Sequence, residues 1–71
     1  MLLYLVRHAT AQDRRLGLPD PSRHLVDKGI KQSLKLAEFC RQQLQAPELV
    51  LTSPLVRAEQ TAMLLHQHAH W

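Results

Sequence analysis

Arg7 and His8 stand side by side near the start of the chain, and Thr52, Ser53 and Arg57 cluster some fifty residues later. Two guanidiniums and an imidazole, brought together, suit a phosphoryl group. Arginine presents paired N–H donors in a fixed plane that matches phosphate oxygens. A neutral imidazole beside them keeps a lone pair for attack on phosphorus. Catalysis would then come from positioning and charge stabilisation rather than from a bound metal.

The elements between must place these residues together. Residues 2–6 are short, apolar and end at a charge, which predicts a buried strand. Residues 7–26 are polar, and Gly17, Pro19 and Pro21 forbid a long element there. A helix is expected over 28–45, with Asp27 as its N-cap and Pro47 as its stop. Ile30, Leu34, Ala37, Cys40 or Arg41, and Leu44 recur along it at helical spacing. Residues 48–52 read as a second short strand. Ser53-Pro54 predicts the start of a second helix, serine at the N-cap and proline at the first helical position. Leu55, Ala58, Ala62 and Leu65 share one face of that helix.

Strand, helix, strand, helix predicts an α/β fold with a parallel sheet and right-handed crossover helices. Ligands of such sheets bind beyond the carboxyl ends of the strands. Arg7 and His8 follow the first strand and Thr52 and Ser53 the second, so parallel pairing would gather them at one edge, beside the N-terminus of the second helix. Two strands make a thin sheet. The β-α-β-α order reads as one half of a larger domain, with residues 1–71 forming a single partial unit.

The composition narrows the classes. At 71 residues one domain is the limit. Apolar residues at 45% and charged residues at 21% exclude a disordered tail. No apolar run approaches the roughly 20 residues a membrane helix needs, so no membrane partner is expected. A net charge of +3 suits an anionic partner, but the basic residues form no run. Aromatics at 4% argue against base stacking, and no nucleic-acid partner is expected. Cys40, the lone cysteine, gives no sign of an oxidising compartment and reads as a buried helix residue. Residues 1–8 lack a signal-peptide pattern, so a cytoplasmic location is expected. His66, His68 and His70 could place imidazoles on one face. With no cysteine or carboxylate following, no metal site is assigned to them.

LYLVRHATA at 3–11 and VLTSPLVRAEQTA at 50–62 resemble the two signature segments of the histidine phosphatase superfamily. SRHLVDKG at 22–29 is similar to a pattern of its small bacterial branch, the phosphohistidine phosphatases of the SixA type. The resemblance covers about residues 2–65. It implies a phosphoglycerate mutase-like fold and a metal-independent phosphatase with no cofactor. His8 would be the residue that becomes phosphorylated, and Arg7, Arg57 and Arg23 would bind the phosphoryl group. The implied reaction removes a phosphoryl group from histidine of a signalling protein. Two alternatives are a phosphatase or mutase acting on small phosphate esters, and a non-catalytic fragment that binds phosphate or self-associates through its partial sheet. Ala9 stands where the family most often has glycine, and Val26 where it often has threonine. The family's second catalytic histidine belongs to a later segment, and His66, His68 and His70 do not take that role. Glu59 reads as a surface helix residue. Arg14 and Arg15 read as loop surface.

Overall fold

The computed structural model describes residues 3–17 and 19–71. Two helices dominate it: α1, Asp27–Gln43, and α2, Val56–Ala69. Two single 3-10 turns, Arg14–Leu16 and Asp20–Ser22, punctuate the loop before α1. The described residues contain no strand. One antiparallel bridge, Ala11 with Leu25, is the nearest approach to a sheet.

The expected α/β parallel sheet is therefore corrected to a helix pair flanked by irregular segments and two 3-10 turns. Residues 3–6 and 48–52 are the segments predicted as strands, and neither belongs to a ladder (Leu2 lies outside the described residues). A strand exists only through its neighbours, and two short parallel segments alone are marginal in water. Both segments instead line one apolar cleft, whose floor is Leu55, Ala58, Ala62 and Leu65 of the second helical region. Leu3, Leu5, Leu49 and Leu51 stay 72–88% exposed. The short apolar runs that predict strands are present, but nothing among the described residues covers their exposed leucines.

The helices pack through small residues. α1 buries Gly29, Ser33, Ala37 and Cys40, and α2 buries Arg57, Thr61, Leu65 and Ala69. These recur at three- and four-residue spacing, one stripe on each helix. Ala37, Cys40, Leu65 and Ala69 form the core, with Leu36, Leu44 and Trp71 against it. Cys40 is buried as expected, and burial pushes its thiol pKa up. The α1 stripe is rotated from the expected one: Ile30 and Leu34 lie 37% and 38% exposed. The small-residue stripe lets the backbones approach closely, and α2 occupies it, turning the larger residues outward. Tyr4 stacks on Trp71, ring centroids 5.5 Å apart, and its hydroxyl donates to Gln45 O at 3.0 Å.

Helix starts also differ from expectation. Val26 is the N-cap of α1 and Asp27 its first residue. Ser53 does not cap α2. Its hydroxyl accepts from Leu55 N at 3.3 Å, closing a local turn, and Leu55 becomes the N-cap. Pro54 therefore precedes the helix rather than opening it.

The loop carrying His8 is fastened to the start of α1. Val26 N donates to Thr10 O at 3.1 Å and Gln12 N to His24 O at 2.9 Å. The Gln32 side-chain carbonyl accepts from both Thr10 N and Thr10 Oγ1, at 3.1 and 2.9 Å. This close crossing explains Gly29. A Cβ there would lie far inside van der Waals contact with Thr10 O.

Candidate active site

Arg57, in the first turn of α2, is only 5% exposed, and its guanidinium is spread over three acceptors. Nε donates to His8 Nε2 at 3.2 Å. Nη1 donates to the Asp20 carbonyl at 2.8 Å, and Nη2 to Asp20 Oδ2 at 3.2 Å. A buried arginine needs such partners, because an unpaired charge there is strongly disfavoured.

The imidazole geometry defines its tautomer. Arginine Nε–H can only donate, so His8 Nε2 must be the unprotonated nitrogen. His8 Nδ1 faces Ala9 O at 2.8 Å, and a carbonyl can only accept, so Nδ1 carries the hydrogen. Two independent contacts agree on one neutral tautomer. Its lone pair points at a guanidinium, while the ring itself is exposed to incoming groups.

Thr61 ties the two halves together. Its hydroxyl donates to Arg57 O at 2.9 Å, one helical turn back, and accepts from Ala9 N at 3.3 Å. The peptide that orients His8 is thus hung from the helix that carries Arg57. Ala9 itself has an ordinary negative φ, since among the described residues only Gly17 and His70 have positive values. Alanine at that position therefore costs no backbone strain.

Arg23 joins through Asp20. It is 8% exposed. Its Nε donates to Asp20 Oδ1 at 3.0 Å, Nη2 lies 2.8 Å from the same oxygen, and Nη1 donates to Gln12 O at 2.7 Å. Arg14 Nε stands 3.6 Å from Asp20 Oδ1 at the surface. Three guanidiniums therefore surround one carboxylate, an excess of positive charge beside the imidazole. The Arg23 hydrogen bond, aided by Arg57 and opposed by partial desolvation, holds the Asp20 carboxyl below the usual carboxylate range.

Of the four residues expected to bind or carry phosphate, three converge: His8, Arg57 and Arg23. Arg7 does not join them. It is exposed on the rim of the apolar cleft, and makes no hydrogen bond or ion pair with the cluster among the described residues. Thr52 and Ser53 close local turns instead, Thr52 Oγ1 donating to Ser53 O at 3.2 Å. Sequence reasoning missed Asp20 and Thr61. Asp20 stands three residues before Arg23 in a proline-bracketed turn, a spacing that could have flagged the pair. Thr61 stands four residues after Arg57, one turn along the same face.

His66 is nine residues beyond Arg57, about 14 Å along the helix axis at 1.5 Å per residue. Its Nδ1 contacts Trp71 O, not the cluster. No group of three or more His, Cys, Asp or Glu is placed to hold a metal ion among the described residues. No helix among them is long and apolar enough to cross a membrane.

The chain is 42% identical over 65 residues to an uncharacterized protein of Picosynechococcus sp., an alignment covering 92% of this chain and 39% of that protein. The chain thus spans about two fifths of the length of the curated relative it matches. No solved structure matches. Residues 3–70 match the histidine phosphatase superfamily (branch 1), which takes in His8, Arg23 and Arg57 together. The chain belongs to that superfamily.

Proposed function

We propose that this chain carries the phosphoryl-accepting half of a phosphohistidine phosphatase of the small SixA-type branch. The observation that carries the reading is the His8 lone pair on Nε2, directed at Arg57 Nε and held there by Nδ1–H on Ala9 O. Membership of the superfamily supports phosphatase- or mutase-type chemistry.

In the first step the Arg57 Nε–H turns from Nε2 to a phosphoryl oxygen, which frees the lone pair, and Nε2 attacks phosphorus to form a new N–P bond. The N–P bond to the substrate imidazole breaks, and that imidazole takes up a proton as it leaves. Arg57 and Arg23 spread the charge of the transferring oxygens. In the second step water attacks phosphorus, the His8 N–P bond breaks, and inorganic phosphate departs. Phosphohistidine suits this site because imidazole, once protonated, leaves more readily than an alkoxide and needs less acid assistance.

The test is a donor protein bearing radiolabelled phosphohistidine, mixed with this chain. Label should pass to His8 as an acid-labile, base-stable adduct, and then to inorganic phosphate. A His8→Gln chain should take none. Label that never reaches His8 contradicts the reading. Faster transfer from a small phosphate ester would move the substrate to that class.

A further inference from the structure

Asp20 occupies the place where the two buried arginines converge. Each carboxylate oxygen is held by a different one, Oδ1 by Arg23 and Oδ2 by Arg57. The side chain is half exposed, whereas those of Arg23 and Arg57 are 10% and 6% exposed. An anion bound to His8 needs the same donors. Arg57 Nε already serves His8, and its two remaining nitrogens each serve Asp20.

The two Asp20 contacts with Arg57 are not equivalent. The backbone carbonyl accepts from Nη1 and also from Arg23 N, at 2.8 and 3.2 Å, and is fixed by the 3-10 turn. The carboxylate can leave by rotation about its own side-chain bonds while the carbonyl keeps Arg57 in place.

We propose that the Asp20 carboxylate is a built-in competitor for the anion seat, displaced when a phosphoryl group binds. It therefore sets the affinity and charge selectivity of the site. The inference rests on the reading of His8, Arg23 and Arg57 as a phosphoryl site. With the seat empty, Asp20 neutralises two adjacent cations that would otherwise repel. With a doubly charged phosphoryl group present, two anions cannot share the seat, and the group with more charge and more oxygens takes it. Singly charged anions gain less and are held off.

The experiment measures inorganic phosphate binding to the whole chain by the shift of the His8 ring protons. Asp20→Asn keeps the side chain's size and the backbone anchor but removes the charge. It should bind phosphate about five- to tenfold more tightly, the ratio expected when a charged hydrogen-bond competitor becomes a neutral one. Asp13→Asn removes a negative charge that pairs with Arg15 in the same loop, and should change binding less than twofold. Asp20→Glu retains the charge, and should bind no more tightly than the native chain. Helix content and Trp71 fluorescence report whether each variant is folded. If Asp20→Asn misfolds, Asp20→Ser removes the same charge with a smaller side chain: tighter phosphate binding than the native chain upholds the proposal, and equal or weaker binding overturns it.

Equal or weaker binding by a folded Asp20→Asn overturns the proposal and leaves the phosphoryl site standing. Phosphate that perturbs His8 in none of the variants overturns both.

Discussion

Arg57 Nε donates to His8 Nε2 at 3.2 Å, across a separation of 49 residues. The two residues come from opposite ends of the chain, and each fixes a property of the other. The guanidinium fixes which imidazole nitrogen keeps its lone pair. The imidazole takes one of the donors a buried arginine must place. A phosphoryl group on Nε2 would form beside that guanidinium, where its charge is best stabilised.

Arg57→Lys separates charge from geometry. Lysine keeps the cation but cannot reach His8 and both Asp20 oxygens at once. Loss of one or two charge-assisted hydrogen bonds costs about 2–4 kcal/mol. Phosphate binding should fall at least tenfold, measured by His8 ring-proton titration. Denaturant unfolding should show reduced stability with the helices still formed.

Gly29→Ala tests the crossing of the His8 loop over α1. The added methyl meets Thr10 O, a backbone atom tied to Val26, and cannot be relieved by a side-chain rotation. Overpacking of this kind costs about 1–3 kcal/mol. Urea unfolding should register that loss, although alanine is intrinsically the better helix former.

Thr61→Val removes the link between α2 and the Ala9 peptide while keeping the side chain's shape. The half-buried Ala9 amide loses its acceptor and the Arg57 carbonyl loses the hydroxyl, at about 1–2 kcal/mol. The imidazole loses its fixed carbonyl, so a small phosphoryl donor should modify both ring nitrogens instead of Nε2 alone. Thr61→Ser should restore Nε2 selectivity. Selective modification of Nε2 in the valine variant would deny Thr61 any positioning role.

Acid should dismantle the site through Asp20. Folding lowers the Asp20 pKa, chiefly through Arg23 and then Arg57. The folded chain therefore binds that proton more weakly than the unfolded chain does. The stabilisation is complete above the unfolded carboxylate value and is lost as pH falls through the lower folded value. Carboxylate carbon NMR should place the Asp20 midpoint below that of an unpaired aspartate. A midpoint at or above the ordinary value would mean the two arginines do not hold it in solution.

These residues show what the sequence could reveal. His8 and Arg57 were legible because each sits in a motif whose residue types suit phosphate. Arg23 followed from the third similar segment. The helices were legible from apolar spacing, but not which stripe would pack. Small residues such as Gly29 and Ser33 carry little hydropathy signal, yet they belong to the stripe that is buried. Strands are not legible locally, because strand formation depends on partners that a local pattern does not contain. Leu5 and Leu51 have strand-like sequence and remain exposed. Arg7 was expected from its position beside His8. Adjacency in sequence does not fix side-chain direction, and among the described contacts only His8 of the pair meets Arg57. Asp20 was invisible because its role exists only when Arg23 and Arg57 are brought to it from either side.

The most direct measurement is the nitrogen-15 NMR spectrum of the His8 ring, before and after reaction with phosphohistidine. The free ring should show the hydrogen on Nδ1 and a bare Nε2. The reacted ring should carry phosphorus on Nε2, and the Arg57→Lys chain should form the adduct much more slowly. A hydrogen on Nε2 in the free ring, or phosphorus on Nδ1 or on another histidine, would contradict the account.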